Sequence, residues 1–261
     1  MTMSDESSVT PNVSRRRFLL SAAGISGLVL TGCDIGDLGD LRPPTRRGGL
    51  VGIADVLTMS TQRLLMANQP LVQEHDPRDV TRNFPLWGQK NPHDEEYQRL
   101  LAGDFAAWRL EIGGLVKTPT SLSLDQLKGM KRRTQITSHI CEQGWSAIAE
   151  WTGTPLSVAL AAAGGVLPEA RYVAVKSYDG WYECYDMFDV VHPQTILAYG
   201  MNGQNLPRGN GAPLRLRVER QCGYKQLKFV KSIEAVASVA NVGKGNGGIN
   251  EDFGFHWYAG A

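Results

Sequence analysis

The sequence predicts a single-domain α+β fold in which strands dominate. Three observations carry this reading. Short segments such as Leu214-Arg-Leu-Arg-Val218 alternate strictly between apolar and polar residues, turn dipeptides sit between such segments, and only a few stretches place apolar residues at helical spacing. No internal repeat divides the chain. A net charge of +1 offers no case for nucleic acid or an acidic membrane face as partner.

Taken in order, Leu50–Met66 carries Ile53, Val56, Leu57, Leu64 and Leu65 at roughly helical spacing, which predicts an early helix. Trp108–Ile112 alternates like a strand, and Ser123-Leu-Asp-Gln126 is a capping box that should start a short helix ending near Gly129. Gln135–Cys141 reads as a strand that delivers Cys141 at its end. Thr154-Pro155 offers an N-cap and a first helical residue, with Gly164-Gly165 as the stop. Tyr172–Ser177 and Trp181–Met187 form strands joined through Asp179-Gly180. A second hairpin turns at Asn202-Gly203, between Thr195–Met201 and the segment up to Leu206. Leu214–Val218 and Phe229–Val239 complete the strands, and the Gly- and Asn-rich residues 242–254 wrap the surface.

The N-terminus reads as a targeting segment. Ser14-Arg15-Arg16-Arg17-Phe18-Leu19 matches the twin-arginine pattern for exporting folded proteins, and the apolar run behind it is too short to span a bilayer comfortably. Leu30-Thr31-Gly32-Cys33 looks like a lipobox that makes Cys33 the acylated first residue of the mature chain. We therefore expect a signal at residues 1–32, a flexible tether at 33–49 and the domain at 50–261, in the periplasm and tethered to the inner membrane only through lipid on Cys33. Export after folding favours an enzyme that loads a cofactor in the cytoplasm.

The four cysteines, Cys33, Cys141, Cys184 and Cys222, contain no C-x-x-C, which argues against a c-type haem, an iron–sulfur cluster or a four-cysteine zinc site. His75, His93, His192 and His256 lack zinc-ligand spacing. Residues alone leave Cys141 open to several readings. It is an inert buried thiol, a hydrolase nucleophile with His139 or His192 as base, or a soft thiolate ligand. A lipid-tethered binding protein is a further reading.

Thr137-Ser-His-Ile-Cys141-Glu-Gln-Gly-Trp145 and Trp151-Thr-Gly-Thr-Pro155 resemble the metal-ligand region of bacterial molybdopterin-dependent oxidoreductases of the sulfite oxidase superfamily. The resemblance continues at His192-Pro193, Leu197–Gly203, Leu206–Arg215 and Gly223–Lys228. It implies a sulfite-oxidase-like molybdopterin-binding fold and a molybdenum cofactor (Mo-molybdopterin) with Cys141 as the protein thiolate on the metal. It also implies pterin contacts from Asn83, Ser177, Asn210, Arg215, Lys225, Gln226, Leu227 and Lys228. A pterin phosphate calls for close-approach backbone and cations, which Gly209-Asn-Gly211, Arg215, Lys225 and Lys228 can supply. Arg217 stays on the bland reading, the solvated face of a strand.

Tyr182 falls near the position of an active-site tyrosine in sulfite oxidases. His139, two residues before Cys141, shares its strand face; a histidine bonded to backbone is its blander reading. Many superfamily members have His where Asn210 stands, whereas bacterial protein-methionine-sulfoxide reductase catalytic subunits look like this chain. The resemblance thus implies two-electron oxygen-atom transfer, with reduction of sulfoxides or similar oxo compounds, small or protein-bound, preferred over sulfite oxidation. Because no haem or cluster motif is present, electrons require an external partner, a cytochrome or a membrane haem protein.

Overall fold

The computed structural model describes residues 43–44, 49–68 and 70–260. The export signal, the acylation site Cys33 and most of the tether therefore lie outside the described residues. The described residues belong to one compact unit.

Two five-stranded sheets enclose a common core. The first has the order β2(Thr120–Ser123), β1(Arg109–Gly114), β10(Val230–Val236), β5(Tyr172–Ser177), β6(Tyr182–Asp186). All its neighbours are antiparallel except β1 and β10, which run parallel with Glu111 opposite Ser232. The second runs β3(Arg133–Ile140), β4(Ser146–Pro155), β7(Ile196–Met201), β8(Gln204–Asn205), with β9(Arg215–Arg217) also paired to β7. Trp108, Leu110 and Ile112, Val173 and Val175, and Phe229 and Ile233 meet Leu197, Leu214 and Leu216 in the core between them. Such mixed sheets with few helices match the expected fold class.

Both turn dipeptides behave as their chemistry requires. Asn202 and Gly203 have φ of 51° and 73°, the positive pair that a type I′ hairpin turn demands, and they join β7 to β8. Asp179-Gly180 closes the β5–β6 hairpin, with Gly180 at φ 83°. The capping box is also present: Gln126 N donates to Ser123 Oγ at 3.1 Å, and Gln126 Oε1 accepts from Ser123 N at 2.8 Å, opening α3(Leu124–Gly129).

The helices bring corrections. α1(Gly49–Leu65) forms where expected, yet it buries Asp55, Met59 and Arg63 and turns Ile53, Leu57, Leu64 and Leu65 outward. Arg63 reaches Asp186 Oδ2 at 2.6 Å and Asp189 Oδ1 at 3.4 Å, and its guanidinium stacks on Phe188. α4(Leu156–Ala162) begins at Pro155 without a side-chain cap, because the Thr154 hydroxyl donates instead to Leu127 O at 2.7 Å.

Several elements escaped the pattern reading, among them β2, the helical turn Ile249–Asp252 and three more. α2(Glu95–Ala102) is capped by Asp94, whose carboxylate accepts from Tyr97 N, and α5(Met187–Val190) is a single turn. The third is β4, the longest strand, whose buried alternating positions are Ala147, Ala149, Trp151 and Gly153, of which only Trp151 is large, too few to show as an apolar alternation.

Candidate active site

β3 and β4 pair from Arg133/Gly153 to Ile140/Ser146, so residues 141–145 form the tip of a hairpin. Cys141 N donates to Trp145 O at 2.9 Å and Gly144 N to Cys141 O at 3.1 Å, a tight loop that buries the thiol at one wall of a cavity. Burial pushes the Cys141 thiol up, with Glu142 adding to it and Arg215 opposing. A thiol held up in this way would give up its proton on binding a metal ion.

His139 shares the cavity with Cys141, as the strand register requires. Its ring sits between Phe84 and Trp145, with centroids 5.8 and 5.5 Å away. Its partner is a side chain rather than backbone: Arg217 Nη1 donates to Nδ1 at 2.9 Å. A guanidinium has no acceptor, so the imidazole proton resides on Nε2. Burial, reinforced by Arg215 and Arg217, pushes the His139 imidazolium down to about 2.

Arg217 thereby leaves the bland reading. It is fully buried, holds Glu219 through Nε at 3.0 Å and Nη2 at 2.6 Å, and stacks 4.3 Å over Trp151. β9 is buried on both faces, Leu216 in the intersheet core and its two arginines against Trp151.

Arg215 and Lys228 complete the cavity wall with Asn210, Gln226 and Leu227. Arg215 is buried with one hydrogen bond, from Nη1 to Asn210 O at 3.2 Å, while its Nε has no partner. Burial and Arg217 push its guanidinium down to about 9. Lys228 Nζ donates to the carbonyls of Trp87 (2.8 Å), Gln89 and Gly209 (3.3 Å). Burial and Arg215 push its ammonium down to about 8. Among the described residues neither cation has a carboxylate within ion-pair distance.

Backbone comes unusually close here. Gly211 follows the turn Arg208–Asn210 at φ 116°, and a Cβ on it would lie 2.9 Å from Lys228 Cβ. A Cβ on Gly223 would meet the His139 ring at 2.9 Å. A buried Arg215 and a half-buried Lys228, neither paired with an acid, beside a tightly folded glycine turn make a place suited to an anion, since burying unpaired charge is costly. The residues thus fit an anionic cofactor, with Cys141 on a wall of the same cavity.

The remaining predicted contacts fall elsewhere. Lys225 does not line the cavity; Nζ is buried between Glu183 Oε1 (2.6 Å) and Glu251 Oε1 (2.7 Å). Ser177 sits behind the β5–β6 turn, its Oγ 2.7 Å from Asp179 Oδ1 and 2.9 Å from Trp181 O, while Asp179 and Trp181 face the cavity. Asn83 is exposed in an adjoining cleft that shares Phe84, Leu86 and Asn210. Tyr182 is not brought to Cys141: its hydroxyl donates to Asp252 Oδ2 at 2.5 Å, in a groove on the other side of the hairpin. Cys184 and Cys222 are both free thiols. No metal-binding group of three or more His, Cys, Asp or Glu occurs among the described residues.

The match of residues 98–241 to a molybdopterin-binding oxidoreductase family model makes this chain an oxidoreductase that binds a molybdenum pterin. The family is the oxidoreductase molybdopterin binding domain, and the chain belongs to it. It is 33% identical over 249 residues to the putative protein-methionine-sulfoxide reductase subunit YedZ1 of Azospira oryzae, an alignment covering 95% of this chain and 88% of that protein. It is also 36% identical over 176 residues to the protein-methionine-sulfoxide reductase catalytic subunit MsrP of Xanthomonas axonopodis pv. citri, covering 60% of this chain and 54% of that one. Among solved structures it is similar to the sulfane dehydrogenase SoxCD from Paracoccus pantotrophus, with TM-score 0.48 and 28% identity over 50% of this chain and 38% of that one.

Proposed function

We propose that this chain reduces sulfoxides, methionine sulfoxide in proteins foremost, at a molybdenum centre held by one pterin dithiolene and Cys141. The observation that carries it is the cavity that joins Cys141 to the unpaired cations Arg215 and Lys228. The names of the two relatives, both protein-methionine-sulfoxide reductase subunits, supply the substrate class. When bound, the cofactor supplies the two-electron redox centre. Overall, a sulfoxide takes up two electrons and two protons to give a thioether and water, and the electrons come from an external carrier, a cytochrome or membrane haem protein.

The protein's part is binding and orientation. Phe84 and Trp145 give the cavity an apolar wall, while Leu86, Trp87 and Trp181 stand exposed at its rim. This surface suits the methyl and methylene groups of a methionine sulfoxide carried on a polypeptide. His139 is neutral at physiological pH and carries its proton on Nε2, so it polarises as a hydrogen-bond donor rather than acting as a general acid. Arg217 fixes that tautomer, and Glu219 fixes Arg217.

The test is turnover of purified holoprotein with a reduced dye as donor, against oxidised protein and free methionine sulfoxide, in parallel with sulfite oxidation. Sulfoxide-dependent dye oxidation is expected, and Cys141→Ser should lose more than the roughly 10–100-fold that changes around a metal's outer contacts cost. Sulfite activity without sulfoxide activity overturns the substrate class. An unaltered electronic spectrum in Cys141→Ser overturns the ligand.

A further inference from the structure

The helix α1 is amphipathic the wrong way round for a helix that packs on a core. Its inner face holds Asp55 and Arg63, and its outer face carries Leu50, Ile53, Leu57 and Leu64, which are 85, 58, 62 and 47% exposed. At about 100° per residue these four project within an arc of roughly 60°. Asp55 and Arg63 are the only charged residues of α1 and both are buried, so its exposed surface carries no charge at all.

The helix cannot roll to hide the stripe. Arg63 is fixed between Asp186 and Asp189 and stacked on Phe188 and Tyr258, Asp55 is bonded to His256, and Met59 packs in a cluster with Trp257 and Tyr258. Turning it over would expose the apolar contacts and bury the stripe only by breaking buried ion pairs, which is the more costly exchange. An uncharged apolar face of this kind is a docking surface.

We propose that the outer stripe of α1 lies in the interface of an anionic phospholipid membrane. Two features select lipid over a protein partner. The segment entering the helix, Arg42-Pro-Pro-Thr-Arg-Arg47-Gly-Gly, carries three cations and no acid, the charge that anionic headgroups attract. The candidate acylated residue Cys33 lies only a short tether upstream, within about 55 Å of Gly49 even if fully extended, so an anchored chain keeps the stripe beside the bilayer. No helix among the described residues is long and apolar enough to cross a membrane, which leaves α1 lying on it. The inference is independent of the reductase reading.

The test uses the cofactor-loaded chain from Asp34 onward, which lacks the acylation site and retains every described residue. It is sedimented with vesicles of phosphatidylethanolamine and phosphatidylglycerol, and with phosphatidylcholine alone. Binding to the anionic vesicles is expected, falling at least about tenfold in the combined Leu50→Gln, Ile53→Gln and Leu57→Gln variant. Because these side chains are exposed, molybdenum content and unfolding midpoint should stay at the parent values, which separates lost docking from lost folding. Replacing Arg46 and Arg47 by Gln should weaken anionic binding only. Failure of the parent to bind either vesicle, equal binding by the triple variant, or self-association that the triple variant abolishes without any vesicle binding would each overturn the proposal.

Discussion

Lys225 and Lys228 lie three residues apart, both partly or fully withdrawn from water, and the protein treats them in opposite ways. Burial alone would lower the Lys225 ammonium, but Glu183 and Glu251 outweigh it and hold it above the usual lysine range. Lys228 is hydrogen-bonded to carbonyls, and burial with the repelling Arg215 outweighs the attraction of Asp179 and pushes it down to about 8. The same division runs through the interior: Arg63, Arg217, Arg220 and Lys225 are each paired with a carboxylate, whereas Arg215 and Lys228 are not. The lesson is that the missing acid, rather than the buried base, marks where an anion belongs.

That contrast is open to attack, beginning with its strongest member. Lys225→Ala should leave Glu183 and Glu251 buried against each other and cost about 3–5 kcal/mol, read from the urea midpoint. Loss of cofactor with unchanged stability would instead return Lys225 to the binding site. Arg215→Met should do the reverse. The apoprotein keeps or gains stability, while loss of a charge-assisted bond of about 1.5–3 kcal/mol weakens molybdopterin retention roughly ten- to hundredfold, measured as metal and pterin content after dialysis.

Gly211→Ala tests the glycine turn that touches Lys228. A side chain at φ 116° and 2.9 Å from Lys228 should cost about 1–3 kcal/mol and reduce cofactor content with it. A gentler probe is pH. With a folded value of about 8, below the roughly 10.4 of an unfolded lysine, Lys228 binds fewer protons in the folded apoprotein between those values. Apoprotein stability should therefore gain a rising contribution from pH 8 toward 10, and Lys228→Met should remove it when the two melting profiles are subtracted. The smallest effect is expected of Tyr182→Phe, which gives up one bond to Asp252: about 1 kcal/mol at most and turnover within about twofold of the parent. A loss of activity beyond tenfold would place Tyr182 in the machinery after all.

Much of this was legible beforehand where chemistry is local. The capping box at Ser123, the Asn202-Gly203 and Asp179-Gly180 turns and the strand leading to Cys141, which ends one residue earlier at Ile140, each depend on neighbours in sequence, and each is present. Strand β4 was not, because small residues bury without an apolar signature. The fates of Arg215 and Arg217, and of Lys225 and Lys228, could not be separated by pattern. β9 is covered on both faces, so alternation there carries no information about burial; Glu219, the partner of Arg217, is only two residues on, but Glu183 and Glu251, the partners of Lys225, come from elsewhere in the fold.

By itself the sequence determined the class of fold and the family, since motifs and turn residues act through short-range backbone chemistry. Only the tertiary structure decided which basic residues meet a carboxylate and which do not, that Tyr182 bonds to Asp252 away from the Cys141 cavity, and that the apolar face of α1 points outward. Those outcomes rest on pairings between segments far apart in the chain, where burial cost and charge compensation are settled by whatever side chain arrives opposite.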